Sequence, residues 1–397
     1  MNHTEVGNFL LEGVNQSPEL QIPLFIVFTI IYFTTALGNL GMVLLIVLDS
    51  HLHTPMYFFL SNLSMVDFGY SSTTTPKVIA GFLIKENVIS YNACASQMFF
   101  FLAFASMENI ILALMAYDRY AAVCKPLHYT TTMTTSVCVY LVLGSYIYAF
   151  VNSSVLIVNT FTLSFCESNV VHHFFCDIPA VMILSCSDKH VNEMVLVFIS
   201  SFNVFCALLV VLISYLFIFI TIFKMQSSKG YQKALSTCTS HLTAVSIFYG
   251  TVIFMYLQPS SSHSMDTDKI ASVFYAMIIP MLNPMVYSLR NKEVKSAFRK
   301  VIDKVKSSFH LLNYHSLYLR IIDFYMSPIA LHFHSFCAVA LRFPRATSAI
   351  LVLDDTQALL CQDLLVCCYY FSNTWQFYPK FTRAHSWWVA QYDQKEC

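Results

Sequence analysis

Asp118, Arg119 and Tyr120 follow one another just beyond a 20-residue apolar run, Ala95 to Leu114, whose one charged residue is Glu108. A guanidinium stays charged in a protein, so at the edge of a hydrocarbon layer Arg119 is tolerable only beside an acid or water, and the adjacent Asp118 is its default partner. Such a pair is a latch, because opening it frees a cation at a helix end. Asp67 and Glu108 lie deeper within apolar segments. An unpaired charge there costs at least roughly 2.5–3.5 kcal/mol, so each acid must find a proton, a cation or a hydrogen-bond donor. Asn39, Asn109 and Asn283 supply polar company. Two readings stay open: a shared polar site that holds a cation or proton, and neutral carboxyls each bonded to an asparagine. Pro284, directly after Asn283, removes one helix donor and clashes with the preceding turn. The loosened ladder is a hinge candidate, with Asn283 and water expected to satisfy the freed carbonyl.

These residues need long membrane helices to hold them. Hydrophobic residues make up 57% of the chain and charged residues 11%, against about 45–50% and about 25% in soluble domains. Net charge is zero, and nothing suggests a nucleic-acid partner. A hydrocarbon core about 30 Å thick needs roughly 20 apolar helical residues. Seven segments meet that test within a few residues, at about 24–48, 57–79, 95–117, 137–161, 194–223, 235–257 and 270–289. The expected fold is all-α: a seven-transmembrane helix bundle within residues 24–290, followed over 291–309 by an amphipathic eighth helix. There Val294, Ala297, Phe298, Val301, Ile302 and Val305 alternate with basic residues, which suits a helix lying on an anionic lipid surface.

Lysine and arginine set the orientation. The first 76 residues contain neither, whereas Lys125, Lys224, Lys229 and the cluster from Arg290 to Lys306 follow helices 3, 5 and 7. The N-terminal segment, residues 1–23, is therefore expected outside a multi-pass plasma-membrane protein, with the C-terminus in the cytoplasm. It carries Glu5, Glu12 and Glu19 and has no basic and apolar regions of a cleavable signal. Asn2-His3-Thr4 is then a glycosylation acceptor, and Asn15, with Pro18 just beyond its triplet, a poorer one. Cys94, Cys166, Cys176 and Cys186 fall on the same oxidising side. Four cysteines allow three pairings; Cys94 with Cys176, and Cys166 with Cys186 in a smaller ring, is preferred. His172, His173, Cys176 and Asp177 are residue types that bind copper or zinc, but a disulfide at Cys176 removes its thiolate, so no metal is expected.

Several motifs together carry a family resemblance: Gly38-Asn39, LHTPMYFFLSNLS from Leu52 to Ser64, MAYDRYAAVC from Met115 to Cys124, Ser214-Tyr215, KALSTCTSHL from Lys233 to Leu242, Phe248 to Gly250, and PMLNPMVYSLRN from Pro280 to Asn291. In this order the chain resembles tetrapod-type olfactory receptors of the rhodopsin-like G-protein-coupled class, over residues 1 to about 309. The resemblance implies an odorant ligand and coupling to a heterotrimeric stimulatory olfactory G protein that raises cyclic AMP. It implies that activation turns Arg119 toward that G protein, with Tyr215 and Tyr287 swinging in to hold it. It also locates the ligand. Phe101, Leu102, Ala105, Ser106 and Asn109 share one face of helix 3 by helical spacing. Tyr249, Val252, Ile253 and Tyr256 do so on helix 6, helix 5 offers Ile199 and Asn203, and helix 7 adds Val273 and Ala276. Apolar walls with a few hydroxyl and amide groups suit a small, volatile, weakly polar molecule, and no charged group is poised there to fix an amine.

No Walker loop, HExxH, GxSxG or dinucleotide fingerprint is present, so no enzyme activity and no cofactor is expected. The competing class is a polytopic transporter or channel for a small solute. It lacks support, because neither an internal repeat nor paired broken helices are visible. Residues 310–397 depart in composition, holding Trp375, Trp387 and Trp388 and five of the thirteen cysteines. The segment is expected to be an atypical extension, disordered or artefactual, arising from read-through or an altered frame. Palmitoylation at Cys367 and Cys368 or partner binding are the alternatives.

Overall fold

The computed structural model describes residues 7–13, 18–83, 87–166, 168–224, 228–257 and 265–309. Asn2, the Asn15 triplet and the extension beyond Phe309 lie outside them. Long helices run from Pro18–Leu48 (α1), Pro55–Gly81 (α2), Tyr91–Cys124 (α3), Thr135–Phe161 (α4), His190–Lys224 (α5) and Ser228–Leu257 (α6). α7 is composite: Met265–Val273, a π-helical turn Phe274–Ile278, then Ile279–Arg290, and α8 follows at Lys292–Phe309. Of these, α1, α3, α4, α5 and the α7 stretch Lys269–Ser288 are long and apolar enough to cross a membrane by length and composition alone. α2 buries Asp67, Asn62, Ser71, Thr74 and Thr75 instead, as a helix enclosed by others does.

Most helices overrun their apolar segments, because apolar length measures the hydrocarbon and not the helix. Caps show where the chain turns in. Ser90 Oγ accepts from Ala93 N at 3.4 Å to start α3, and Thr134 Oγ1 accepts from Val137 N at 3.3 Å to start α4. α3 is the central helix, packing on α2, α4, α5 and α6. The ring of Phe104 lies 2.6 Å from where a Cβ at Gly69 would stand, so this glycine lets α2 and α3 approach beside Asp67.

The N-terminal end of the bundle departs from an all-α architecture. Asn8–Leu11 (β1) pairs antiparallel with Val88–Ser90 (β2) and parallel with Val170–Val171 (β3). Phe9 and Leu11 are buried by the period-2 alternation of a strand. Four residues are too few for that period to stand out in sequence. Two disulfides stiffen the same end, Cys94–Cys176 and Cys166–Cys186. At the opposite end, α8 seats Val294 and Ala297 on the bundle while Phe298 stays exposed. Tyr57 on α2 donates to Glu293 Oε2 at 2.7 Å and accepts from Asn291 Nδ2 at 2.7 Å. Lys300 meets Asp49 at 3.2 Å.

Beyond β1, Glu12 meets Lys269 of α7 at 2.9 Å and His172 at 3.2 Å. Partial burial pushes the Glu12 carboxyl up, and the bonds and charges of Lys269 and His172 outweigh this, leaving it below its ordinary 4.5. A depressed carboxyl stabilises the fold fully above its unfolded value and loses that contribution as pH falls through the folded one. Glu12→Gln should therefore lower the melting temperature at pH 7 by roughly 1–3 °C. The gap between variant and parent, followed by thermal denaturation, should close only below pH 4.5.

Candidate functional site

A polar crossing joins four helices in the middle of the bundle. Asn109 of α3 donates through Nδ2 to the Asn203 backbone carbonyl of α5 at 3.1 Å and to its Oδ1 at 3.4 Å. Tyr249 of α6 donates to Asn109 Oδ1 at 2.8 Å. Asn203 Nδ2 in turn donates to Ser106 Oγ at 3.3 Å, and so does Asn152 Nδ2 of α4, also at 3.3 Å. Ser106, Asn109 and Tyr249 are buried. Leu102, a turn above Ser106, and Ile199 pack on one apolar cluster containing Cys94, Met98 and Leu156. Asn152 has no place in the sequence reading, because its Asn-Ser-Ser triplet reads first as a glycosylation acceptor to be set aside within a membrane segment.

The expected ligand face divides here. Phe101 turns away from the crossing, with ring centroids 4.8 Å from Tyr70 of α2, 4.9 Å from Phe175 and 6.0 Å from Tyr275 of α7. Ala105, Val273 and Ala276 belong to this second cluster, together with Phe174 and Phe175 from the loop before α5. The five residues of the α3 stripe subtend too wide an arc to face one space. Val252 is partly buried on α6, and the side chains of Ile253 and Tyr256 lie outside the described residues. The metal-ligand types of the loop are engaged elsewhere. His173 Nε2 and Ser272 Oγ are 3.0 Å apart, Cys176 is in a disulfide, and Asp177 accepts from Ile178 N at 3.0 Å.

Deeper toward α7, Asn283 Nδ2 donates to Asp67 Oδ2 at 3.0 Å and to Glu108 Oε1 at 3.1 Å. Both acids are buried, and Asp67 Oδ1 and Glu108 Oε2 have no hydrogen-bond partner among the described residues. Asn39 and Asn109 do not join them. Asn39 Nδ2 donates to Thr35 O at 3.0 Å and to Pro280 O at 2.9 Å. Pro280 is four residues before Pro284, so its carbonyl is the acceptor that the missing proline N–H leaves open. The expected partner of that carbonyl, Asn283, is thus replaced by an asparagine from α1. Gly38 makes the approach possible, because the Pro284 ring lies 3.1 Å from where its Cβ would stand.

At the C-terminal end of α3, Arg119 Nη2 donates to Asp118 Oδ2 at 2.8 Å, and Tyr129 donates to Asp118 Oδ1 at 2.8 Å. The Arg119 side chain is 12% exposed, and its Nε has no partner among the described residues. Tyr215 does not hold Arg119 here; its hydroxyl is 2.8 Å from His241 Nδ1 on α6. His241 Nε2 is 3.1 Å from the Leu112 carbonyl, which can only accept. Nε2 therefore carries the proton, and in the neutral ring Tyr215 donates to Nδ1. Tyr287 is buried, and its hydroxyl has no hydrogen-bond partner among the described residues. Tyr120 packs 5.8 Å from Phe217, with Lys125 Nζ 5.6 Å over its ring. Among the described residues neither Tyr215 nor Tyr287 hydrogen-bonds to Arg119. Sequence reading assigned no role to His241 or Tyr129, although His241 stands within the quoted KALSTCTSHL motif.

Squid rhodopsin superposes with a TM-score of 0.58 at 17% identity, over 73% of this chain and 83% of its own. The fold the two share is a seven-helix bundle. A family profile for olfactory receptors matches residues 28–305. The chain is 73% identical to human olfactory receptor 5B2 over 305 residues, 77% of this chain and 99% of that one. It is 69% identical to human olfactory receptor 5B3 over 307 residues, 77% of this chain and 98% of that one. The chain belongs to the olfactory receptor family, and it is a multi-pass membrane receptor rather than an enzyme.

Because one amide bridges both acids, changing either alters the donor left for the other. Asp67→Asn and Glu108→Gln should each shift the melting temperature of the ligand-free receptor or its dependence on sodium and pH. The double variant should show less than the sum of the two shifts. Additive shifts would mean that the carboxyls do not share a site.

Proposed function

We propose that this receptor binds a small, volatile, weakly polar odorant among α3, α4, α5 and α6, and couples to a stimulatory olfactory G protein that raises cyclic AMP. The observation that carries the coupling step is the arrangement at Arg119. A nearly buried guanidinium rests on a single carboxylate, Tyr215 is held by His241, and the Tyr287 hydroxyl has no partner among the described residues. Breaking one ion pair and the Tyr215–His241 bond makes that cation available at the bundle end. Asp118, Tyr120, Asn283 and Pro284 complete the coupling region.

The bundle sits in the plasma membrane with its N-terminal end outside. The absence of Lys and Arg before Lys77, and their concentration after α3, α5 and α7, support this orientation. Asn2 is then available for glycosylation, and the exposed Phe298 of α8 meets lipid at the inner surface. Asp67, Glu108 and Asn283 hold a cation or proton in the resting state, on the support of the two carboxyl oxygens that have no partner among the described residues.

A ligand screen reading cyclic AMP in cells that express the full chain tests the receptor reading. Arg119→Ala should abolish the ligand-stimulated rise while surface amount, measured by antibody against an N-terminal tag, stays within about twofold of the parent. Normal signalling by Arg119→Ala would overturn the coupling mechanism.

A further inference from the structure

Ser106 stands out among the helix hydroxyls. Ser145, Ser154 and Thr160 of α4 each donate back to the carbonyl four residues earlier, at 2.8, 2.8 and 2.9 Å. Ser106 makes no such bond among the described residues. Instead its oxygen accepts from two amides at once, Asn152 of α4 and Asn203 of α5, each at 3.3 Å. A hydroxyl oxygen has two acceptor sites and one hydrogen to donate. Both acceptor sites are taken, so the hydrogen is what Ser106 has left. Asn203 is oriented by the rest of the crossing, since its Oδ1 receives Asn109 Nδ2 at 3.4 Å and its amide nitrogen must therefore point toward Ser106.

From this count we infer that the site selects an oxygen-bearing ligand, a small ketone, aldehyde or ester, whose oxygen accepts a hydrogen bond from Ser106, with Asn152 acting as a specificity determinant by keeping the Ser106 oxygen occupied. The inference rests on the reading that the ligand lies among α3, α4, α5 and α6, and it adds the polarity of the anchor. The alkyl part of such a molecule follows Leu102 and Ile199, which pack on one apolar cluster. A hydrocarbon of the same shape leaves the Ser106 hydrogen without an acceptor in a buried position. An alcohol binds through its lone pair alone, since its own hydrogen finds the Ser106 oxygen already filled.

The test uses the full chain in lipid nanodiscs and a matched panel of methyl ketones, the corresponding secondary alcohols and n-alkanes of six to ten carbons. Binding is read by thermal shift, and cyclic AMP is read separately in cells. The expected order of affinity is ketone, then alcohol, then alkane. Ser106→Ala should weaken ketone binding roughly three- to tenfold and leave alkane binding unchanged, while Ser106→Thr, which keeps the hydroxyl, restores it. Asn152→Leu frees one acceptor site on Ser106, so alcohols should gain on ketones; loss of packing alone would weaken both alike. Equal affinity for ketones and alkanes, or an equal effect of Ser106→Ala on both, overturns the inference and leaves the receptor reading intact. Ketone-selective binding without a cyclic AMP response supports the inference and overturns the coupling proposal. If no panel member binds, both fail.

Discussion

The amide nitrogen of Asn283 carries two hydrogens, and the bundle places a carboxylate in front of each. Through that one group α7 is joined to Asp67 of α2 and Glu108 of α3. In a membrane interior the acids have no water to turn to, so the position of α7 is fixed by where two carboxylates can reach one asparagine. The next residue extends the constraint. Pro284 leaves the Pro280 carbonyl open, and Asn39 of α1 closes it at 2.9 Å, across the gap that Gly38 provides. Four helices are thereby set by two asparagines, and the half of α7 that carries Pro284 is held on both sides.

α3 carries the same logic along its length. Ser106 and Asn109 tie it to α4, α5 and α6, Glu108 to α7, the Leu112 carbonyl to His241, and Asp118 to Tyr129. Each bond replaces hydration that the lipid cannot supply, which makes partial breakage costly and favours discrete arrangements over gradual ones. Tyr249 and His241 lie on the same helix, eight residues apart, and both are bonded to α3. A ligand that disturbs the Tyr249 end therefore acts on an element whose other end restrains Tyr215. The proposed ligand crossing and the Tyr215–His241 bond are thereby joined through one helix, α6, which is bonded to α3 at both places.

Much of this was readable from residue types. Asp118 and Arg119 are neighbours in the chain, so their pairing needs no knowledge of the fold, and five of the spans follow from apolar length, α2 being too polar to do so. The partners that came from other helices were harder to read. Asn39 reads as company for the acids because both are polar and buried, yet a backbone carbonyl created by a proline 245 positions later is the stronger claim on it. The ligand face of α3 read as one surface because helical spacing gives angle only to within a residue. The structure packs Phe101 and Ala105 in one cluster with Phe174 and Phe175 and Leu102 in another, while Ser106 meets Asn152 and Asn203. β1 has the strand period but is too short to declare it, and its partners lie in two separate loops. His241 carries a signal, an imidazole in a membrane helix, but its one acceptor, the Leu112 carbonyl, and its one donor, Tyr215, become visible only once α3 and α5 are beside it.

The central claim is that polar bonds made to α3 hold the resting bundle closed. A spin-label pair at Thr131→Cys, in the exposed turn after α3, and at Leu235→Cys, 38% exposed on α6, reads the separation of α6 from that end. The measurement is electron–electron resonance on the ligand-free receptor in nanodiscs, in a background lacking the exposed Cys206 thiol. His241→Leu keeps the bulk and removes both bonds, so it should shift the distance distribution toward longer values without any ligand. An unchanged distribution in His241→Leu would contradict the account.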